Sequence, residues 1–254
     1  NGSGCTDTET AAVTVNAIPT ATIGGTTTIC NGKSTTLNGG GGGTYAWSTT
    51  ETSASITVSP GANITYTLTV TNGSGCTDTE TAAVTVNAIP TATIGGTTTI
   101  CNGKSTALNG GGGGTYAWST TETTASITVA PSANATYTLT VTNGSGCTDT
   151  ETAAVTVNAI PTATISGTTT ICNGKNTTLN GAGGGTYAWS TTETTASITV
   201  APSANATYTL TVTNGSGCTD TEAAAITVNT TPTATIGGTT TICNGKSTTL
   251  NGGG

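Results

Sequence analysis

The chain of 254 residues carries only 6% charged residues, far below the roughly 25% of ordinary soluble domains, and its 73 Thr supply hydroxyls in place of ions. Four Lys, no Arg and a net charge of −7 exclude neutralisation of a nucleic-acid backbone, and the absence of His excludes a Ser-His-Asp or Cys-His catalytic arrangement. No apolar run approaches the roughly 20 residues of a membrane helix, and no basic-then-apolar segment opens the chain, so a targeting signal is expected outside this sequence.

The sequence repeats with a period of 71: the phrase NGSGCTDTE begins at Asn1, Asn72, Asn143 and Asn214, and residues 1–71 differ from 72–142 at five positions. One folding unit has been copied. In chain order, Val13 and Val15 alternate with polar neighbours and predict a strand with one buried face. The run Val15-Asn16-Ala17-Ile18-Pro19 follows, recurring at Pro90, Pro161 and, with Thr231 before it, Pro232. Proline fixes its own φ and holds its predecessor extended, so this junction is expected to be a short, stiff connector. After the Asn31-Gly32-Lys33 turn, a strand reaches Leu37 and is broken by the five glycines 39–43. Tyr45 and Trp47 alternate in a further strand, as do Ile56 and Val58, and Ser59-Pro60-Gly61-Ala62-Asn63 ends the latter. In Thr65-Tyr66-Thr67-Leu68-Thr69-Val70-Thr71 the alternation is strict, which predicts an antiparallel strand with a hydroxyl-covered outer face. Asn72-Gly73-Ser74-Gly75 then reads as a tight hairpin leading to Cys76. Six or seven strands per repeat and no helix are expected.

With starts at the prolines, complete domains are expected at 19–89, 90–160 and 161–231. Residues 1–18 then read as the last strand of a preceding domain, and 232–254 as the first strands of a following, incomplete one. The 41 residues left over from three repeats suggest a segment of a longer, quasi-periodic fibre. Strand donation between subunits is the other reading, and the missing strands count against it.

Eight cysteines at 5, 30, 76, 101, 147, 172, 218 and 243 give spacings that alternate between 25 and 46. With no His and no C-x-x-C, zinc would need four thiolates that this spacing does not cluster, so disulfides are expected and with them an oxidising, extracellular compartment. Closing the 46 residues between Cys30 and Cys76 would remove roughly 4 kcal/mol of unfolded-state freedom in the chain-entropy picture.

Other chemistry is sparse. Asp7/Glu9, Asp78/Glu80, Asp149/Glu151 and Asp220/Glu222 place two acids on one strand face, which reads as a solvated edge; no Asp-rich loop completes a calcium site and no cleft supports a glycosidase. Lys33, Lys104, Lys175 and Lys246 lie in Asn-Gly-Lys turns, where an isopeptide bond is not expected. No cofactor and no metal site is expected. Rows such as Thr65/Thr67/Thr69/Thr71 admit an ice-binding face, but are also what a low-charge sandwich needs outside.

The series Thr-Ile-Cys30-Asn-Gly-Lys-Ser-Thr-Thr-Leu37, Tyr45-Ala-Trp47-Ser, Ser55-Ile-Thr-Val58, Thr65-Tyr66-Thr-Leu-Thr-Val70 and Gly75-Cys76 resembles the PKD-like/Ig-like tandem repeats of large Bacteroidota surface proteins. The resemblance implies an all-β chain of tandem Ig-like (PKD-like) antiparallel β-sandwich domains in an extended rod, exported to the cell surface as a filament or adhesin stalk. It implies self-association along a fibre as the main partnership, with surface glycans as the alternative ligand. By the same comparison Trp47, Trp118 and Trp189 take the place of a buried strand-C tryptophan, and Tyr66, Tyr137 and Tyr208 that of a strand-F tyrosine. An exposed aromatic platform for sugar rings is the rival role for the tryptophans.

Two cystine patterns remain open. One pairs Cys30–Cys76, Cys101–Cys147 and Cys172–Cys218 within domains and leaves Cys5 and Cys243 to partners outside the chain; it is the pattern expected here. The other joins neighbouring domains through Cys30–Cys147 and Cys101–Cys218. It answers a geometric difficulty, since in an ordinary Ig topology the turn after the first strand and the F–G hairpin lie at opposite ends.

Overall fold

A computed structural model describes residues 2–254. Among them there is no helix. The first repeat folds as seven strands: β1 (Thr22–Gly25), β2 (Thr28–Cys30), β3 (Thr35–Gly40), β4 (Thr44–Trp47), β5 (Ser55–Val58), β6 (Ile64–Thr71) and β7 (Thr77–Asn87). They form two sheets, ordered β1-β3-β5 and β2-β7-β6-β4. Every described pairing is antiparallel except that of β2 with β7, which is parallel with Cys30 opposite Asn87.

The period-two pattern decides which face of each strand is buried. Along β6 the residues Tyr66, Leu68 and Val70 are buried while the intervening Thr stay partly exposed. Leu37 and Leu68 are fully buried, and with Trp47, Ile56 and Val84 they form the layer between the sheets. Thr35 also points inward, and its hydroxyl donates to the Thr26 carbonyl at 2.7 Å, so the buried polar group is satisfied. Two sheets in this order, with β2 crossing over to pair beside β7, make an immunoglobulin-like β-sandwich.

The next two repeats reproduce this order. The sheet pairing Thr93–Gly96, Thr106–Gly111 and Ser126–Val129 has its counterpart in Thr164–Ser166, Thr177–Ala182 and Ser197–Val200, and the four-stranded sheets repeat as well. By its internal contacts the chain divides into two compact units. One takes the chain up to Gly96 with Leu108–Ile127 and Tyr137–Ala153; the other takes Thr97–Ala107, Thr128–Thr136 and Ala154–Gly254.

Outside the three repeats the sequence expectation is met only in part. The region read as a terminal strand around Val13 and Val15 is not a strand, and these valines are 86% and 90% exposed. Among the described residues no neighbour pairs with it, and alternation alone does not hold a strand without a ladder. At the other end Thr235–Gly237 pairs antiparallel with Asn251–Gly253, while the segment around Cys243 forms no strand.

Within the five-glycine run before β4, Gly39 and Gly43 stand where no room is left for a side chain. A Cβ on Gly43 would press on the Thr71 carbonyl group of β6, with its carbon at 2.8 Å. A Cβ on Gly39 would meet Leu68 Cδ2 at 2.7 Å and the Trp47 ring at 3.2 Å.

Candidate functional site at the junction of successive sandwiches

The residues with distinctive chemistry gather where one repeat hands over to the next. The hairpin before β7 is held by Asn72, whose Oδ1 accepts from the backbone N–H groups of Ser74 and Cys76, both at 3.0 Å. Gly75 completes the turn with φ +81°, a conformation that costs glycine nothing. The Asn72 Nδ2 group is thereby aimed outward, and it donates to the Ala17 carbonyl in the connector at 2.7 Å. Asn143 does the same to Ala88 and Asn214 to Ala159, both at 2.8 Å. Each hairpin therefore grips the connector that precedes its own sandwich.

A second clamp uses the first acid of each pair. Asp78 Oδ2 accepts from the Ala21 N–H at 2.8 Å, and the same bond recurs at Asp149–Ala92 and Asp220–Ala163. The backbone just past each proline is tied in this way to the start of the last strand. Hydrogen bonds to a charged acceptor contribute about 1.5–3 kcal/mol, more than a neutral pair. The expected solvated edge is thus corrected for the aspartates, whereas Glu80, Glu151 and Glu222 are exposed. Sequence carried no signal for this role, because the spacing of 57 residues between Ala and Asp recurs as every other spacing does in near-identical repeats.

The cysteines form the third link, and here the intradomain pairing is overturned. Cys30 is bonded to Cys147 and Cys101 to Cys218, each spanning 117 residues of sequence. Cys76, Cys172, Cys5 and Cys243 are free thiols. The reason is the length and direction of β7. Because β2 runs parallel to it with Cys30 opposite Asn87, Cys30 lies at the far end of β7 from the hairpin that carries Cys76. Eleven residues at about 3.3 Å each separate the two by about 35 Å, whereas a cystine requires Cα atoms within about 7 Å. Asn87 is also where the chain leaves for the next repeat, so the hairpin of that repeat brings Cys147 to 5.7 Å of Cys30, Cα to Cα. Cys101 and Cys218 stand in the same relation at 5.6 Å, with Cys101 opposite Asn158. Cys147 and Cys218 are 1% exposed, so the bridge is shielded on the hairpin side.

The aromatic residues lie elsewhere. Trp47, Trp118 and Trp189 are each 4% exposed, and each indole N–H donates at 2.9 Å to the carbonyl of Ser53, Thr124 or Thr195. Tyr66 and Tyr137 are buried and Tyr208 is half-buried. No tryptophan face is presented to a sugar ring. One turn residue escaped the sequence reading. Thr50, with Thr121 and Thr192 at equivalent places, adopts φ near +77°, a left-handed conformation unusual for a β-branched residue. It is held by Thr50 N–H to Trp47 O and by Trp47 N–H to Glu51 O, both at 2.9 Å.

Lys33, Lys104, Lys175 and Lys246 are exposed in their turns. Among the described residues no three Cys, Asp or Glu side chains converge as metal ligands. An open depression of about 480 Å³ is lined by Asn102, Ser132, Asn134, Val157 and neighbours, and the Asn134 oxygen there is already engaged by the Val157 N–H at 2.8 Å.

No protein-family model matches the chain, and no curated protein matches it. Among solved structures it is similar to the titin I-band fragment I67–I69, at 15% identity and a TM-score of 0.41 over 85% of this chain and 100% of that one. It is also similar to a 1.5-MDa bacterial ice-binding adhesin, at 16% identity and a TM-score of 0.31 over 85% and 100%. A third likeness is to the Bacteroides ovatus protein SGBP-B, solved with a mixed-linkage heptasaccharide, at 15% identity and a TM-score of 0.22 over 92% and 74%. The assignment of the fold rests on strand order and register, not on these likenesses.

Proposed function

We propose that this chain is an extracellular structural and adhesive repeat, a segment of a cell-surface filament or adhesin stalk, and not an enzyme. The observation that carries the reading is the cystine that joins one sandwich to its successor, made twice with the same offset of 117 residues. Disulfides persist in oxidising surroundings, so the junction belongs outside the cytosol. Hairpin asparagine, connector carbonyl and cystine serve the joining of units, and the aspartate ties the backbone just past each proline to its own sandwich. A surface of Thr and Asn with few charges suits exposure to solvent along a repeated structure, with domains expected at 19–89, 90–160 and 161–231. The glycan-binding alternative needs an exposed aromatic face, and all three tryptophans are interior.

The test is surface labelling of the source cells. An antibody raised against one repeat is expected to stain intact cells, and material released from them is expected to run differently with and without reductant. Staining only after permeabilisation, with all eight cysteines reactive in freshly alkylated material, refutes the reading.

A further inference from the structure

The cross-linked pattern limits how far tension can extend the chain. A pull on both ends travels the shortest covalent route. Cys30 is joined to Cys147 and Cys101 to Cys218, so the two loops interlock: each bridge has one cysteine inside the loop that the other closes. The shortest route follows residues 1–30, crosses to Cys147, returns along 147–101, crosses to Cys218 and continues along 218–254. That route holds 114 of the 254 residues. Residues 31–100 and 148–217, 140 in all, span the same two bridges in parallel with 101–147; they share its load while folded and, once unfolded, stay slack because 71 residues cover the reach of 46.

We propose that the interlocked cystines act as an extension lock, so that a chain of unfolding sandwiches cannot lengthen in proportion to its residues. Fully extended backbone spans about 3.5 Å per residue, which gives about 890 Å for the open chain and about 400 Å for the bridged one. The first and third sandwiches each have most of their strands in the slack stretches. β3 to β7 fall within residues 31–100, and Thr177–Ala182 through Ala206–Thr213 fall within 148–217. Those strands must open before 101–147 can extend, and once open they reach only about two thirds of their own full length. The proposal borrows its purpose from the structural reading above, but the lock itself is a property of connectivity and is tested apart from cellular location.

Optical-tweezers extension of the full chain, attached at its two ends, reads the contour length after all folded structure has been pulled out. Oxidised chain is expected at about 400 Å and chain reduced with a phosphine at about 890 Å. Cys147→Ser leaves only the Cys101 bridge and a route of 138 residues, about 480 Å, and Cys101→Ser gives the same length through the other bridge. Combining the two substitutions removes both bridges and restores about 890 Å. Oxidised parent as long as reduced parent overturns the proposal. So does a double variant no longer than either single one, because that result places Cys101 and Cys147 in one shared bond. Bond formation is read directly from length, so the outcome does not depend on the variants keeping native stability.

Discussion

The glycine corner before β4 gives a sharp test of how closely this sandwich is packed. Replacing Gly43, Gly114 and Gly185 together with alanine places three methyl groups against the carbonyls of Thr71, Thr142 and Thr213, with the carbonyl carbons at 2.8 Å in each case. Ordinary carbon contacts lie near 3.4 Å or beyond, and a strand backbone offers no rotamer by which to retreat, so the entry of β4 must part from β6. The register there pairs Thr44 with Thr71, and opening it sacrifices one or two ladder hydrogen bonds at about 1 kcal/mol each, on top of about 1–3 kcal/mol of overpacking. The sum is about 3 kcal/mol per sandwich, which for a domain of this size lowers Tm by about 12–24 °C. The control is written into the chain. At the position equivalent to Gly40 the third repeat carries Ala182, and there the added carbon at Gly40 or Gly111 meets only a threonine hydroxyl, at 2.5 Å. Such a side chain can rotate away. Calorimetry of the oxidised full chain is therefore expected to show a large fall for the triple variant and a change within a few degrees for Gly40→Ala with Gly111→Ala. A triple variant that melts within 2 °C of the parent, or a Gly40/Gly111 pair that falls as far, refutes the steric argument.

Replacement of Asp149 by Ala strands the Ala92 N–H and is expected to cost about 1.5–3 kcal/mol in denaturant unfolding, while Asp149→Asn, which keeps an acceptor oxygen, recovers most of it. Leu68→Ala, at a fully buried site, should cost about 2–5 kcal/mol; Ile64→Ala, at a 46% exposed site that is already Ala135 and Ala206 in the later repeats, should change stability by less than about 0.5 kcal/mol. Equal losses at the two positions would contradict the inward assignment of β6. Reducing one bridge releases a loop of 117 residues, which the chain-entropy picture values at about 5 kcal/mol, so the denaturation midpoint should fall markedly on reduction and stay put with chelator.

Fold class was legible because period two runs through almost every apolar position: the alternation at Tyr66, Leu68 and Val70 placed the strand and its buried face together. The hairpin at Asn72 was legible from its glycines. What sequence withheld was the third dimension of β2. Nothing in Thr28-Ile29-Cys30 announces that this three-residue strand pairs in parallel with the end of β7, and the fate of every cysteine hangs on that one pairing. Asp78 was misread for a related reason, since alternation assigns it a face but cannot show that a backbone N–H 57 residues earlier lies within reach. Thr50 escaped because a left-handed turn normally advertises itself through Gly or Asn, and here the bonds around Trp47 impose it on a β-branched residue.

The constant offset of 117 residues has a consequence for inheritance. Each bridge joins a strand-end cysteine to the hairpin cysteine of the following copy, and both lie in stretches that are nearly the same in every copy. Recombination between misaligned repeats that adds or deletes a whole unit of 71 residues therefore recreates the same junction it cut through, with hairpin asparagine, aspartate and cysteine partners all in place. The number of repeats becomes a quantity that selection can adjust without any compensating point mutation, and the near identity of neighbouring copies supplies the matched sequence that such exchange requires.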